Sequence, residues 1–365
     1  MLLITTRTYP PELGGMQNLM GNLAIHLNIL HPVKVLADSF KNDRLYDTKN
    51  NFETYRLDGI KLIRKYRKTS LLKQIFDEGG VKAIIADHWK SVETVPDFIA
   101  NQIPVVCLIH GKEINHELNN ASNRRSIFAL NKTKYIVANS NFTKNLAIHK
   151  GIESSKITVI NPGINSPEII ENEIDQEAKK IFDNAEVKII TIARLDKRKG
   201  IDFSLFALKN FKTIHNNFKY VIIGNGEEED NLKKIVKELS LENNVIFFKN
   251  INTNLKNALL KNANFFLMPT RINEGSVEGF GISYIEAASY GIPAIAGKEG
   301  GESDAVQHNK TGIICNGNDH GDIYEALKNI VENKKYLKLG NAAKEFAANF
   351  YWDKIIKKYA NLLNL

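Results

Sequence analysis

Short runs of aliphatic and β-branched residues recur along the whole chain, and each is followed by a longer stretch with apolar residues at helical spacing. That alternation constrains the fold more than any other feature. Strands separated by helix-length crossovers pair in parallel, and parallel sheets need helices on their faces. One series of such runs falls at residues 2–6, 33–37, 60–64, 81–86, 105–109, 135–138 and 158–160, with the first helix expected near 17–30. A turn-rich segment around Asn161, Pro162 and Gly163 then leads into a polar, acidic stretch at 168–186. A second series follows at 187–193, 220–223, 245–248, 265–268 and 294–296. The last helix, near 352–364, has no strand after it. A chain of 365 residues exceeds what one core usually supports. Two α/β domains are therefore expected, at 1–165 and 166–348, with 349–365 as a terminal helix.

Composition removes several classes. Hydrophobic content of 43% and charged content of 25% exclude wholesale disorder and coiled coil. Cys107 and Cys315 are the two cysteines, too few for a disulfide scaffold or a cysteine-rich zinc site. No apolar run approaches the roughly 18–20 residues of a membrane span. The opening stretch meets Arg7 and Pro10 too soon for a secretory signal, so a cytoplasmic location is expected. The net charge of +8 is unevenly spread: residues 1–165 hold 22 Lys and Arg against 14 Asp and Glu, so the remaining residues balance.

The strongest chemical signal is Glu278 and Glu286, eight positions apart, running from a loop with Gly279 and Gly281 into a helix. Glycines there let backbone amides at a helix start approach an anion closely. After the first strand of the second series comes Arg194-Leu195-Asp196-Lys197-Arg198-Lys199-Gly200. Arg194 and Lys199 flank a loop at a strand's carboxyl end, where parallel sheets bind ligands, and such a pair suits a diphosphate. Lys197 and Arg198 read as solvated. Gly224 and Gly226 follow another strand, but Glu229 stands where a dinucleotide fingerprint needs a third small residue. They read instead as a turn lining a nucleotide cleft. In the first domain, Gly14 and Gly15 stand between strand and helix, and His110-Gly111-Lys112-Glu113 follows a strand end. No spacing of His, Asp or Glu resembles a metal site.

Together these pieces resemble the family-4 retaining glycosyltransferases of the GT-B fold, end to end. The Glu278/Glu286 pair with Arg194, Lys199 and Gly200 carries most of the specificity. Gly14-Gly15, His110-Gly111, Gly224-Asn225-Gly226, Gly300-Gly301 with Asp304, and the closing Tyr351-Trp352 helix complete the match. Among relatives, bacterial mannosyl- and glucosyltransferases acting on lipids or polysaccharide precursors look most similar. Asn165 and Lys249 depart from the family pattern, which often has Asp and Gly there.

The resemblance implies two Rossmann-like domains facing across a cleft, with the terminal helix crossing back to the N-terminal domain. It implies transfer of a hexose from a nucleoside diphosphate sugar, of the GDP-mannose or UDP-glucose type, with retained configuration. Arg194 and Lys199 would clamp the diphosphate, Glu286 the ribose and Glu278 the transferring sugar. His110 would lie against the sugar ring. Gly14, Gly15, Gly224, Gly226 and backbone amides of Phe280, Gly281, Ile282 and Ser283 would line the donor site. Glu113 and His88 fall on the acceptor side. No metal or other cofactor is expected, and no nucleic-acid partner. A nucleotide-sugar epimerase and a non-catalytic sugar-nucleotide binder are the competing readings.

The basic excess adds a further expectation: docking on an anionic membrane surface, at the inner face of the cytoplasmic membrane, near a lipid-linked or saccharide acceptor. Lys61, Arg64, Lys65, Arg67 and Lys68 are its densest stretch. Helical spacing would align Lys61, Arg64, Lys65 and Lys68 on one face, although residues 60–64 read locally as a core strand followed by a solvated loop.

Overall fold

A computed structural model describes residues 1–117 and 120–365. It divides into two units, residues 1–163 with 352–365, and residues 164–351. The break thus falls two residues before the expected boundary at 165, and the return to the first unit comes at Trp352 rather than 349.

The first unit is built on a parallel seven-stranded sheet of order β3-β2-β1-β4-β5-β6-β7. Its strands are β1 (Leu2–Thr6), β2 (Val33–Asp38), β3 (Glu53–Leu57), β4 (Ala83–Ala86), β5 (Val105–Ile109), β6 (Tyr135–Ala138) and β7 (Ile157–Val159). β1, β4 and β5 are buried along their whole length, as central strands with both faces covered must be. One face packs Leu3, Ile84, Cys107 and Ile136 against helices; the other packs Leu2, Ile4, Ile85 and Val106. The terminal helix Trp352–Leu363 belongs to this second face. Its Ile355, Ile356 and Tyr359 pack with Leu19, Leu23 and Leu27, and the Trp352 ring stacks 5.2 Å from His26. Gly163 makes room for that indole: a Cβ there would lie 2.5 Å from the ring.

One expectation fails here. Residues 60–64 are not a strand; Lys61–Asp77 is a seventeen-residue helix, and the third strand is Glu53–Leu57. The helix fits the sequence physically. Gly59 precedes it, and Gly79 and Gly80 follow it in the left-handed region that ends helices. Its buried residues Lys68, Leu72 and Ile75 recur at helical spacing.

The second unit holds a parallel six-stranded sheet of order β10-β9-β8-β11-β12-β13. These are β8 (Val187–Ile192), β9 (Phe218–Ile223), β10 (Val245–Phe248), β11 (Phe265–Met268), β12 (Ala294–Ala296) and β13 (Gly312–Ile314). The last was not foreseen; three residues, one of them glycine, give almost no strand signal. A Cβ at Gly312 would meet the Ala294 carbonyl oxygen at 2.3 Å, so the glycine admits β12 at close range. No helix among the described residues is long and apolar enough to cross a membrane.

Candidate functional site

In the second unit the sheet reverses its winding between β8 and β11. Open parallel sheets bind ligands beyond the carboxyl ends at such a point. Past β8 the chain makes a single 3₁₀ turn at Lys197–Lys199, which Gly200 closes at φ +68°. A Cβ on Gly200 would fall 2.1 Å from the Pro269 carbonyl oxygen, so glycine is required there. The turn sends Lys199 inward, where it is 8% exposed and its Nζ binds the Glu278 carboxylate. Arg198 Nη1 lies 2.6 Å from the same oxygen, Glu278 Oε2. Both cations thus sit on Oε2, and no donor to Oε1 is found among the described residues.

Burial works to raise the Glu278 pKa, but the Lys199 and Arg198 charges outweigh it and hold the carboxyl below its usual range. Burial likewise opposes the charge of Arg198, and Glu278 with Asp196 overrides that, raising its pKa. Glu278 and Arg198 are therefore both charged at neutral pH. Arg198 is not the solvated residue expected: its side chain is 12% exposed. Lys197 is exposed, as expected. Arg194 stands apart from the cluster, 63% exposed, with its guanidinium held 2.9 Å from Asp196.

Glu278 is also fixed through its backbone. Its carbonyl accepts the Gly301 N–H at 2.8 Å, and a Cβ on Gly300 would fall 2.3 Å from that oxygen. The buried Glu302 carboxylate holds this loop by accepting the Gly300 N–H at 2.7 Å and the Thr270 hydroxyl. Sequence reasoning missed Glu302, because nothing distinguishes it from a surface glutamate before the loop is folded.

Gly281, at φ +87°, opens the helix Ile282–Ser289, which has no side-chain cap and no acid in its first turn. Its leading N–H groups and positive dipole end are therefore free for an anion. Ile282 and Ser283 are half-buried there. Phe280 can offer only its backbone, since its ring is buried 5.7 Å from that of Phe350. Glu286 is half-buried farther along the helix, with Lys256 Nζ 3.9 Å away. Gly224 and Gly226 act on the Arg194 loop: Cβ atoms there would meet the carbonyl oxygens of Ala193 and Leu195 at 1.9 and 2.3 Å. They let that loop and the turn press together. Lys249, the departure noted in the sequence, pairs with Glu229 at 3.0 Å.

The first unit has its own reversal of winding, between β1 and β4. Gly14 precedes the helix Gly15–Leu30, which again has no side-chain cap or first-turn acid, and the space beside Gly15 is open. His110 follows β5. Its Nε2 lies 3.1 Å from the Asp87 carbonyl oxygen, which can only accept, so Nε2 carries the proton. The His110 backbone N–H donates to Glu113 Oε1 at 2.5 Å, so Glu113 holds the histidine loop in place. His88 follows β4, and its Nδ1 accepts the Lys90 N–H at 2.9 Å, which leaves the proton on Nε2. Burial first, then the charges of Arg7 and Lys90, push its pKa down to about 3. Asp87, missed from sequence, is buried. It accepts from the Thr6, Thr8 and Ser91 hydroxyls and the Arg7 N–H, tying the end of β1 to the end of β4. Among the described residues, no three His, Cys, Asp or Glu are grouped to hold a metal ion.

Known proteins resemble this chain throughout. The family model for glycosyl transferases group 1 matches residues 172–346, and that for glycosyltransferase family 4 matches residues 13–166. A Mycobacterium tuberculosis protein named GDP-mannose-dependent alpha-(1-6)-phosphatidylinositol monomannoside mannosyltransferase is 25% identical, over 99% of this chain and 97% of that one. Among solved structures, Anabaena HepE in complex with UDP superposes with a TM-score of 0.83 at 17% identity, over 100% of this chain and 99% of that one. Sucrose-phosphate synthase from Thermosynechococcus elongatus does so with 0.81 at 18% identity, over 100% and 98%.

Proposed function

We propose, from the premise that this chain belongs to glycosyl transferases group 1 and glycosyltransferase family 4 on the GT-B fold, that it is a retaining, metal-independent hexosyltransferase. It draws its sugar from a nucleotide sugar. The donor we favour is GDP-mannose and the acceptor a glycolipid, on the strength of the full-length mannosyltransferase relatives. UDP-glucose with a saccharide acceptor is the next pair to test.

The observation that carries the reading is the arrangement around Glu278. Two cations occupy Oε2 and leave Oε1 free to accept hydrogen bonds from sugar hydroxyls. The uncapped helix start at Gly281 adds amide donors for a diphosphate. In the reaction the bond from the anomeric carbon to the diphosphate oxygen breaks, and a bond to the acceptor oxygen forms on the same face. The acceptor proton passes to the departing diphosphate. Arg194 and Lys199 then meet charge that grows on the leaving group, a contribution of about 2.7–4 kcal/mol for one such donor. Three cations there, Arg194, Arg198 and Lys199, face two carboxylates, Asp196 and Glu278, and that net positive charge lets side chains meet the diphosphate without a metal.

The same reading includes docking on an anionic membrane, now by different chemistry. Arg64 and Lys68 pair with Asp38, Lys65 with Glu93 and Arg67 with Asp58, so that stretch is largely neutralised within the fold. The helix Lys61–Asp77 also presents apolar side chains to solvent: Leu62 is 76% and Tyr66 75% exposed, beside Ile60 and Ile63 and among the exposed Lys61, Lys65, Arg67 and Lys73. Such side chains, in a unit with excess positive charge, suit a lipid interface.

A donor panel assayed with a membrane-lipid extract, read by mass spectrometry, tests the transfer. Proton NMR of the new anomeric centre tests retention. A β-product from an α-donor would refute it. An inverted free sugar nucleotide would point to an epimerase, and binding without turnover to a non-catalytic protein.

A further inference from the structure

The switch point of the first unit carries more positive charge than the fold uses. Thr5 pairs with Ala86 across β1 and β4, so Arg7 and His88 each stand two residues beyond a matched pair. The Asp87 carboxylate fixes this level by accepting the Arg7 N–H at 3.0 Å. Lys90 is tied to the same spot through its N–H bond to His88 Nδ1.

Three donor groups there have no hydrogen-bond or ion-pair partner among the described residues: the Arg7 guanidinium, the His88 Nε2–H and the Lys90 ammonium, which lies 5.0 Å from the centroid of the Trp89 ring and can still donate its N–H groups. Nearby acids are already committed. Asp87 accepts from three hydroxyls and an amide, and Glu93 is shared by Lys65 and Arg125. Lys90 is half-buried, and its pKa is lowered by that burial and by the charges of Arg7, Lys61 and Arg125, with only Glu93 opposing. Arg7 is exposed and Lys90 half-buried, so their positive charge stands available to an anion at a ligand-binding strand end.

We propose that Arg7, Lys90 and the Nε2–H of His88 bind a phosphate group of the acceptor. A phosphate offers oxygens for a guanidinium, an ammonium and a neutral N–H together, as charge-assisted hydrogen bonds require. His88 suits the role because it stays neutral across the physiological range, with its proton fixed on Nε2 by the Lys90 N–H bond to Nδ1. The proposal rests on the glycosyltransferase reading above and adds the chemical class of the acceptor.

The test uses the full chain saturated with GDP or UDP, so that the donor site is filled, and titrates inorganic phosphate. Binding is read by calorimetry and by the His88 side-chain NMR signals. Phosphate should bind and move the His88 Nε2–H resonance. Arg7→Gln and Lys90→Gln should each weaken it at least about tenfold, with nucleoside diphosphate affinity unchanged. His88→Phe should weaken it as well, without altering donor affinity. Displacement by vesicles containing phosphatidic acid would identify a lipid phosphate, and displacement by glycerol 3-phosphate alone a soluble one; either supports the site. Unchanged phosphate affinity in the Arg7 and Lys90 variants would overturn it, as would phosphate binding that is lost in Arg194→Gln instead. Failure to bind any nucleoside diphosphate would be a different result, since it would sink the glycosyltransferase reading itself.

Discussion

Arg194 and Arg198 lie four positions apart, and the proposed function gives them opposite duties that one pair of variants separates. Arg198→Met keeps the aliphatic stem but removes the charge from a guanidinium that is 12% exposed and 2.6 Å from Glu278. Stranding a buried charge costs about 3–5 kcal/mol. Lys199 remains on Glu278 to share the burden, so the expected loss is about 2–3 kcal/mol. For a unit of this size that is a fall in Tm of about 4–12 °C. Arg194→Met removes a guanidinium that is 63% exposed. An exposed pair contributes roughly 0.5 kcal/mol, or about 1–2 °C. Activity should rank the other way for Arg194: nearly intact stability with kcat lower by about 10²–10³. Scanning calorimetry of the full chain measures the first quantity. The relevant transition is the one that rises when nucleoside diphosphate is added. The reasoning is refuted if Arg198→Met melts with the wild type, or if Arg194→Met keeps wild-type kcat.

Other outcomes follow from the same geometry. Glu286→Ala should raise the dissociation constant for the donor nucleotide while leaving Tm within about a degree or two, because its nearest cation is 3.9 Å away; calorimetric titration checks both. EDTA should leave sugar transfer intact, and an activity restored only by a divalent ion would contradict metal independence. Leu62→Ser with Tyr66→Ser should reduce co-sedimentation with anionic vesicles at least about tenfold, since burying such side chains gains about 1.5–3 kcal/mol each. Changing the buried Lys68, which donates to the Thr6 carbonyl and Asp38, should instead destabilise the fold. His88 gives a pH prediction. Its folded pKa, about 3, lies below the unfolded value of about 6.5, with Arg7, Lys90, His110 and His116 as the charged or titratable neighbours. The unfolded chain therefore takes up the proton first as pH falls. Stability is fully present above about pH 6.5 and is lost toward pH 3, by about 1–2 kcal/mol at pH 5. In His88→Asn, which keeps an acceptor for the Lys90 N–H, that part of the pH slope should vanish in denaturant melts.

Legibility differed between parts of the chain for identifiable reasons. Central strands such as β1, β5 and β11 were plain because both their faces are covered, so their sequences are continuous apolar runs. Two edge strands, β3 and β13, were not. β3 reads Glu-Thr-Tyr-Arg-Leu, half-exposed and mixed, while the neighbouring pair Leu62-Ile63 looked more like a strand though it lies on a helix. The site divided in the same way. Lys199, Gly200, Glu278 and Gly281 are set by backbone needs and spacing, which a sequence displays. Arg194 comes before the 3₁₀ turn and stays exposed, while Arg198 lies in the turn, which points it at Glu278. That is decided by Gly200 against the Pro269 carbonyl, a contact nearly seventy residues away along the chain. Asp87 and Glu302 were invisible for a related reason. Each is a buried carboxylate whose partners are backbone amides and hydroxyls, and no cation in the sequence announces it. Buried acids that tie loops together at strand ends are thus the residues that spacing arguments miss: Asp87 holds the backbone of Arg7, and Glu302 the loop whose Gly301 N–H binds the Glu278 carbonyl.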